Sequence, residues 1–146
     1  MPLEFGGARA LLGGVPEHVA SVLVVDDDAD IRDAICGVLE GEGYTTLTAE
    51  NGQMALTLIE KGRRPCVVLL DLMMPVMNGW EFMKAVSSKG DLDDLPVVVV
   101  SAFTEQLAAG EAGARRILKK PLDVKQLLET VAEYCCCSPR PRKIRN

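Results

Sequence analysis

The fold is decided by Val22-Leu23-Val24-Val25-Asp26-Asp27-Asp28. Four consecutive apolar residues, three of them β-branched, make a strand. Every position is apolar, not every second one, so both faces of that strand must be covered, as in a parallel sheet flanked by helices. Three aspartates then end the strand and leave their charge at its carboxyl edge.

The same rhythm runs outward from this stretch. Further strands are predicted at 44–48, 66–70, 97–100 and about 115–119, and each is followed by apolar residues at helical spacing. After the first strand these are Ile31, Ala34, Ile35, Val38 and Leu39, with Asp28 or Asp30 as N-cap and Gly41 as the stop. The second helix spans about 51–61, carries Met54, Ala55, Leu58 and Ile59 on one face, and is ended by Gly62 and Pro65. The third, after a loop through Pro75 and Gly79, turns Phe82, Met83 and Val86 inward, and Trp80 at its start is expected to cap the core. A short fourth helix is placed at 105–111, and a fifth at 123–134 buries Val124, Leu127, Leu128 and Val131. Five βα units make a doubly wound α/β fold around a five-stranded parallel sheet, (βα)5, with right-handed connections.

At 146 residues the chain holds one domain, and 48% hydrophobic with 25% charged residues excludes disorder and fibrous repeats. No apolar run exceeds five residues, far short of the roughly 18 that a membrane span needs. Residues 1–20 lack the charged start and continuous apolar core of a secretory signal, so they read as a flexible or partly ordered leader and the chain as cytoplasmic. Cys36, Cys66 and the run Cys135 to Cys137 contain no CxxC pair, which fits reduced thiols and neither a disulfide framework nor zinc. The one histidine, His18, lies in the leader, so a Ser-His-Asp or Cys-His apparatus is not expected. Formal net charge is −5, yet Arg140, Arg142, Lys143 and Arg145 all fall in the basic tail 135–146, so residues 1–134 carry −9. Nucleic-acid binding by so acidic a body is disfavoured, as is a membrane partner.

Ligands of doubly wound sheets bind beyond the carboxyl ends of the strands. Those ends carry Asp26, Asp27 and Asp28 on the first strand, Asp71 on the third, Ser101 on the fourth and Lys120 on the fifth. Carboxylates about 4 Å apart repel by roughly 4 kcal/mol per pair at a protein surface, so a counter-charge is required. Lys120 and a divalent cation supply it, and all-oxygen ligands select Mg²⁺, with Mn²⁺ also possible, over zinc. Asp28 and Asp30 are read as helix caps. Met73, Met74 and Met77 are read as packing around the loop, because thioethers do not bind Mg²⁺.

These residues resemble the receiver domain of response regulators, the two-component phosphorelay family, over 21–134. The resemblance rests on Val24-Val25-Asp26-Asp27-Asp28, on Leu70-Asp71-Leu72-Met73-Met74-Pro75-Val76-Met77-Asn78-Gly79, on Val100-Ser101-Ala102 and on Lys119-Lys120-Pro121-Leu122. It implies a flavodoxin-like sheet of order 2-1-3-4-5. It also implies that Asp71 is the phosphoacceptor, taking a phosphoryl group from a phosphohistidine of a histidine kinase or a histidine phosphotransfer protein. Asp26, Asp27, Asp71 and the Met73 backbone carbonyl would hold Mg²⁺, and Lys120 would neutralise phosphoryl oxygens. Ser101 would bond the phosphoryl group and alter the face made by the fourth helix, fifth strand and fifth helix, which addresses a downstream protein.

Ile117 stands where the family commonly has Tyr or Phe, so the switch is expected to rest on Ser101 with Ile117 as its weaker half. The resemblance also implies that Met73 and Phe103 would flank the path of the hydrolytic water. The stretch from Ser101 to Gly113 is short for the family, consistent with a stunted fourth helix. The domain is expected to catalyse only its own phosphorylation and dephosphorylation, as a monomer or weak dimer, either alone or as part of a longer chain with 135–146 as a linker stub. A phosphorylation-independent pseudo-receiver is the alternative, disfavoured because all five of Asp26, Asp27, Asp71, Ser101 and Lys120 are present. A Mg²⁺-dependent phosphatase is opposed by Met73, where a catalytic acid is needed, and a Rossmann nucleotide site by the lack of a Gly-rich loop after the first strand.

Overall fold

The computed structural model describes residues 21–89, 94–102 and 114–135. Within them the chain runs β1 (Ser21–Val25), α1 (Ala29–Gly41), β2 (Thr45–Ala49), α2 (Gly52–Glu60), β3 (Val67–Asp71), α3 (Gly79–Ser87), β4 (Val97–Ser101), β5 (Arg116–Lys119) and α4 (Val124–Tyr134). The five strands form one parallel sheet in the order β2-β1-β3-β4-β5. The helix expected at 105–111, Phe103, the leader and the tail beyond Cys135 lie outside the described residues.

Alternation along the buried strands divides the core into two layers. Leu23, Val25, Val68, Leu70, Val97 and Val99 meet Ala55, Leu56 and Ile59 of α2 and Phe82, Met83 and Val86 of α3. The alternate residues Val22, Val24, Val67, Leu69, Val98, Val100 and Leu118 meet Ile35 and Leu39 of α1 and Leu127 and Val131 of α4. Continuous apolarity in β1, β3 and β4 therefore reflects burial on both faces.

Register then positions the polar ends. Val25 pairs with Leu70, Asp71 with Val100 and Ser101 with Lys119, so the residues that close β1, β3, β4 and β5 lie side by side on one edge. Asp71 and Ser101 are the last residues of their strands rather than the first of the loops, and the sheet's own hydrogen-bond ladder holds their backbones.

Four local expectations are corrected, the simplest being Val124, which is 51% exposed at the start of α4 rather than buried. The first helix runs through Gly41, and the chain turns at Gly43, which takes φ 94°; Gly41 needs no such freedom. Tyr44 is not a strand residue but closes the turn, donating its N–H to Leu39 O at 3.1 Å. Trp80 is 39% exposed rather than buried. Gly79, Phe82, Met83 and Val86 define the buried stripe of α3, and at about 100° per residue position 80 falls well outside it.

Candidate functional site

The acidic triplet after β1 divides its labour. Asp28 caps α1, accepting from the N–H of Asp30 at 3.0 Å and of Ile31 at 3.3 Å; of the two candidate caps it is the one used. Asp26 is buried and held through all four of its polar groups. Its N–H donates to Ala49 O at 3.1 Å, and its carbonyl accepts from Arg32 Nη1 at 2.6 Å. Its Oδ1 accepts from Asp28 N–H at 2.9 Å, and its Oδ2 from Lys120 Nζ at 3.0 Å. Asp27 is exposed, and its carboxylate has no hydrogen-bond or ion-pair partner among the described residues.

Asp71 enters from β3 and is likewise buried. Lys120 Nζ lies 3.7 Å from its Oδ1, and the Met73 N–H donates to the same oxygen at 3.3 Å. Carboxylate oxygens of Asp26, Asp27 and Asp71 lie within 4.8 Å of one another. Burial pushes the Asp71 carboxyl above its ordinary value; Lys120 opposes the shift, Asp26 and Asp27 reinforce it, and the Met73 N–H opposes it again. The net rise therefore reflects burial first, in a cluster where three carboxylates face one lysine. Three hard oxygen donors in such a cluster, with no thiol or imidazole among them, suit a divalent cation of the Mg²⁺ type.

Lys120 is tied to β4 as well, because its N–H donates to the Ser101 carbonyl at 3.0 Å. Ser101 is 1% exposed and sits at the strand end beside Asp71. Asp26, Asp27, Asp71 and Lys120 thus converge by direct distances, Met73 by its backbone, and Ser101 by register and its bond to the lysine. Ile117 does not reach the cluster; it packs, half-buried, against the α2–α3 core layer. Met74 is buried and Met77 packs on that layer, whereas Met73 is 56% exposed and packs little. Arg32 was not among the residues read from the sequence. Its signal was a lone cation in the first turns of a helix that begins on three aspartates.

The loop carrying Met73 is held from both ends. Gly79 N–H donates to Leu72 O at 3.0 Å and Gly52 N–H to Met77 O at 2.9 Å. Between them Val76 adopts φ 69°, a left-handed conformation that costs a β-branched residue on the order of 1–3 kcal/mol.

A family model described as the response regulator receiver domain matches residues 22–132. An uncharacterized 14.6 kDa protein of Leptolyngbya boryana is 35% identical over 121 residues, 81% of this chain and 92% of that protein. Response regulator MprA of Mycolicibacterium vanbaalenii is 40% identical over 110 residues, 73% of this chain and 46% of MprA, so the chain spans about half the length of that relative. Among solved structures, the chemotaxis response regulator CheY4 of Vibrio cholerae superimposes with a TM-score of 0.72 at 33% identity, covering 80% of this chain and 98% of CheY4. The receiver domain of Francisella response regulator 1452 gives a TM-score of 0.72 at 32% identity over 80% of this chain and 97% of that one.

Proposed function

The chain belongs to the response regulator receiver family, and from that premise we propose that it is a phosphorylation switch whose acceptor is Asp71. The observation that carries this reading is the Asp71 carboxylate itself, buried, within 4.8 Å of those of Asp26 and Asp27 and 3.7 Å from Lys120 Nζ. An Asp71 carboxylate oxygen attacks the phosphorus of a phosphohistidine. The new O–P bond forms as the P–N bond breaks, and the electron pair of that bond leaves with the imidazole. Lys120 balances charge on the transferring oxygens, and no general base is required because the attacking group is an anion. Asp26, Asp27, Asp71 and the Met73 carbonyl would hold Mg²⁺, which when bound supplies further positive charge at the phosphoryl oxygens.

A histidine kinase or phosphotransfer protein is the donor on this reading. An apolar groove of about 470 Å³, lined by Ile31, Ala34, Ile35, Val38, Leu122 and Leu127, opens between α1 and α4 beside Lys120 and offers that partner a seat. Transfer from a panel of autophosphorylated histidine kinases, with Mg²⁺ and with chelator, tests the function. Mg²⁺-dependent loss of label from a kinase to this chain is expected, and no transfer from any kinase together with no labelling by acetyl phosphate would favour the pseudo-receiver.

Output runs through Ser101 and the β5–α4 side, since the Ser101 carbonyl already holds the Lys120 N–H ahead of α4. Ser101→Ala should leave phosphorylation of Asp71 largely intact and blunt the response of that face. Amide shifts at Ile117 and along α4 on adding Mg²⁺ and beryllofluoride measure it: large in wild type, small in the variant. Unchanged shifts in wild type would remove this route.

The phosphoryl group should be long-lived. Met73 stands exposed at the mouth of the site, and neither it nor Phe103 can orient a water by a strong hydrogen bond. The double substitution Met73→Asn with Phe103→Glu should speed autodephosphorylation about tenfold, equivalent to about 1.4 kcal/mol of barrier. A decay time course of labelled protein in Mg²⁺ buffer compares the two, and equal rates would show that these side chains do not govern water access.

A further inference from the structure

Arg32 donates to the Asp26 carbonyl at 2.6 Å from the first turns of α1. That carbonyl belongs to the peptide unit joining Asp26 to Asp27, so the guanidinium sets the plane from which the Asp27 backbone departs. Asp26 does not need it for its own carboxylate, because Asp28 N–H and Lys120 Nζ already hold both carboxylate oxygens. Asp27 does need it, being exposed with no partner for its carboxylate among the described residues. The side-chain direction of an unpartnered residue is inherited from its backbone, and a peptide plane with one end fixed by a charged donor has little freedom to rotate.

We propose that Arg32 is a positioning residue which, by fixing the Asp26–Asp27 peptide, keeps the exposed Asp27 carboxylate aimed into the cation site. The inference rests on the proposed function, within which Asp27 is a direct ligand. Geometry and simple electrostatics predict opposite signs for its removal. A guanidinium near a cation site repels the cation, so deleting the charge alone would tighten binding. Losing a positioning contact instead weakens it, and loss of the groups that orient metal ligands typically costs about ten- to a hundredfold in affinity.

The test uses Mn²⁺ as probe on the full chain, with free ion counted by electron paramagnetic resonance. Arg32→Met keeps the apolar stem and removes every donor; Arg32→Lys keeps a charged donor. The expected result is Mn²⁺ binding about tenfold weaker in Arg32→Met and largely restored in Arg32→Lys. Phosphorylation by acetyl phosphate should slow in Arg32→Met at low Mg²⁺ and approach the wild-type rate at saturation, a split that a general loss of fold stability would not give. Unchanged or tighter Mn²⁺ binding in Arg32→Met, or equal weakening in both variants, overturns the proposal. Wild-type protein that binds no Mn²⁺ would instead overturn the functional reading beneath it.

Discussion

Replacing Asp71 by Asn is expected to abolish phosphorylation and, in metal-free buffer at neutral pH, to make the fold more stable. The first effect follows from removing the proposed nucleophile: Asn offers no anionic oxygen, and Asp26 is already paired with Lys120. The second follows from burial. The folded value of the Asp71 carboxyl lies above its ordinary value, with desolvation as the largest cause. Ionising it therefore costs more in the fold than in the unfolded chain. Stability linked to this group is fully present below the ordinary carboxylate range near about pH 4 and is lost as pH rises through the raised folded value. Asn carries no charge at any pH, so Asp71→Asn should gain on wild type as the solution passes from acid to neutral. Urea denaturation in chelator at several pH values reads this directly. A variant less stable than wild type at neutral pH would mean that attraction to Lys120 outweighs burial, and label persisting in the variant would mean that the acceptor is another residue.

Gly79→Ala is expected to cost about 1–3 kcal/mol of stability, the usual range for overpacking a close-packed contact. A Cβ at Gly79 would stand 2.8 Å from the Asp71 carbonyl oxygen, 2.8 Å from Leu72 Cα and 2.7 Å from Leu72 Cδ2. Two of these three are backbone, so α3 must retreat, and the bond from Gly79 N–H to Leu72 O at 3.0 Å goes with it. Alanine's better helix propensity, about 1 kcal/mol, recovers only part of the loss. Because the obstructed carbonyl is that of Asp71, acceptor and cluster should shift, and labelling should slow even in the folded fraction. Gly52→Ala is the comparison, since its Cβ would meet Met77 Cγ and O at 2.8 Å, away from the acceptor. Urea unfolding together with initial labelling rates separates the two: both variants destabilised, and only Gly79→Ala slowed. Equal labelling rates would show that the loop absorbs the displacement before it reaches Asp71.

Most of the architecture was legible because the strands that matter are apolar at every position. Val22–Val25, 66–70 and 97–100 announce two-sided burial, and polar residues that break such runs must gather at one edge of a parallel sheet. Asp26, Asp71 and Lys120 were found that way, and the register supplies the contacts. Edges were harder. Thr45–Ala49 is an edge strand with only Ala49 buried, so its composition carries a weak signal, and its start was placed one residue early. Gly41 and Gly43 both offered a helix stop, and only the backbone path reveals which glycine takes the positive φ. Trp80 misled because large aromatics are usually buried, yet its place on α3 is fixed by Phe82, Met83 and Val86. Arg32 was missed for a different reason: its position as a lone cation beside three aspartates was visible, but its partner is a main-chain carbonyl, which sequence spacing does not display.

On the proposed function, Asp71 takes the phosphoryl group and needs a divalent cation to do so. The most direct measurement is mass spectrometry of wild-type protein incubated with acetyl phosphate in Mg²⁺ or in chelator. Borohydride, which reduces an acyl phosphate to the alcohol, then marks the modified side chain. The predicted result is a single base-labile phosphoryl group per chain, formed only with Mg²⁺, and one reduced residue, Asp71. Label on any other residue, or label formed equally well in chelator, would contradict it.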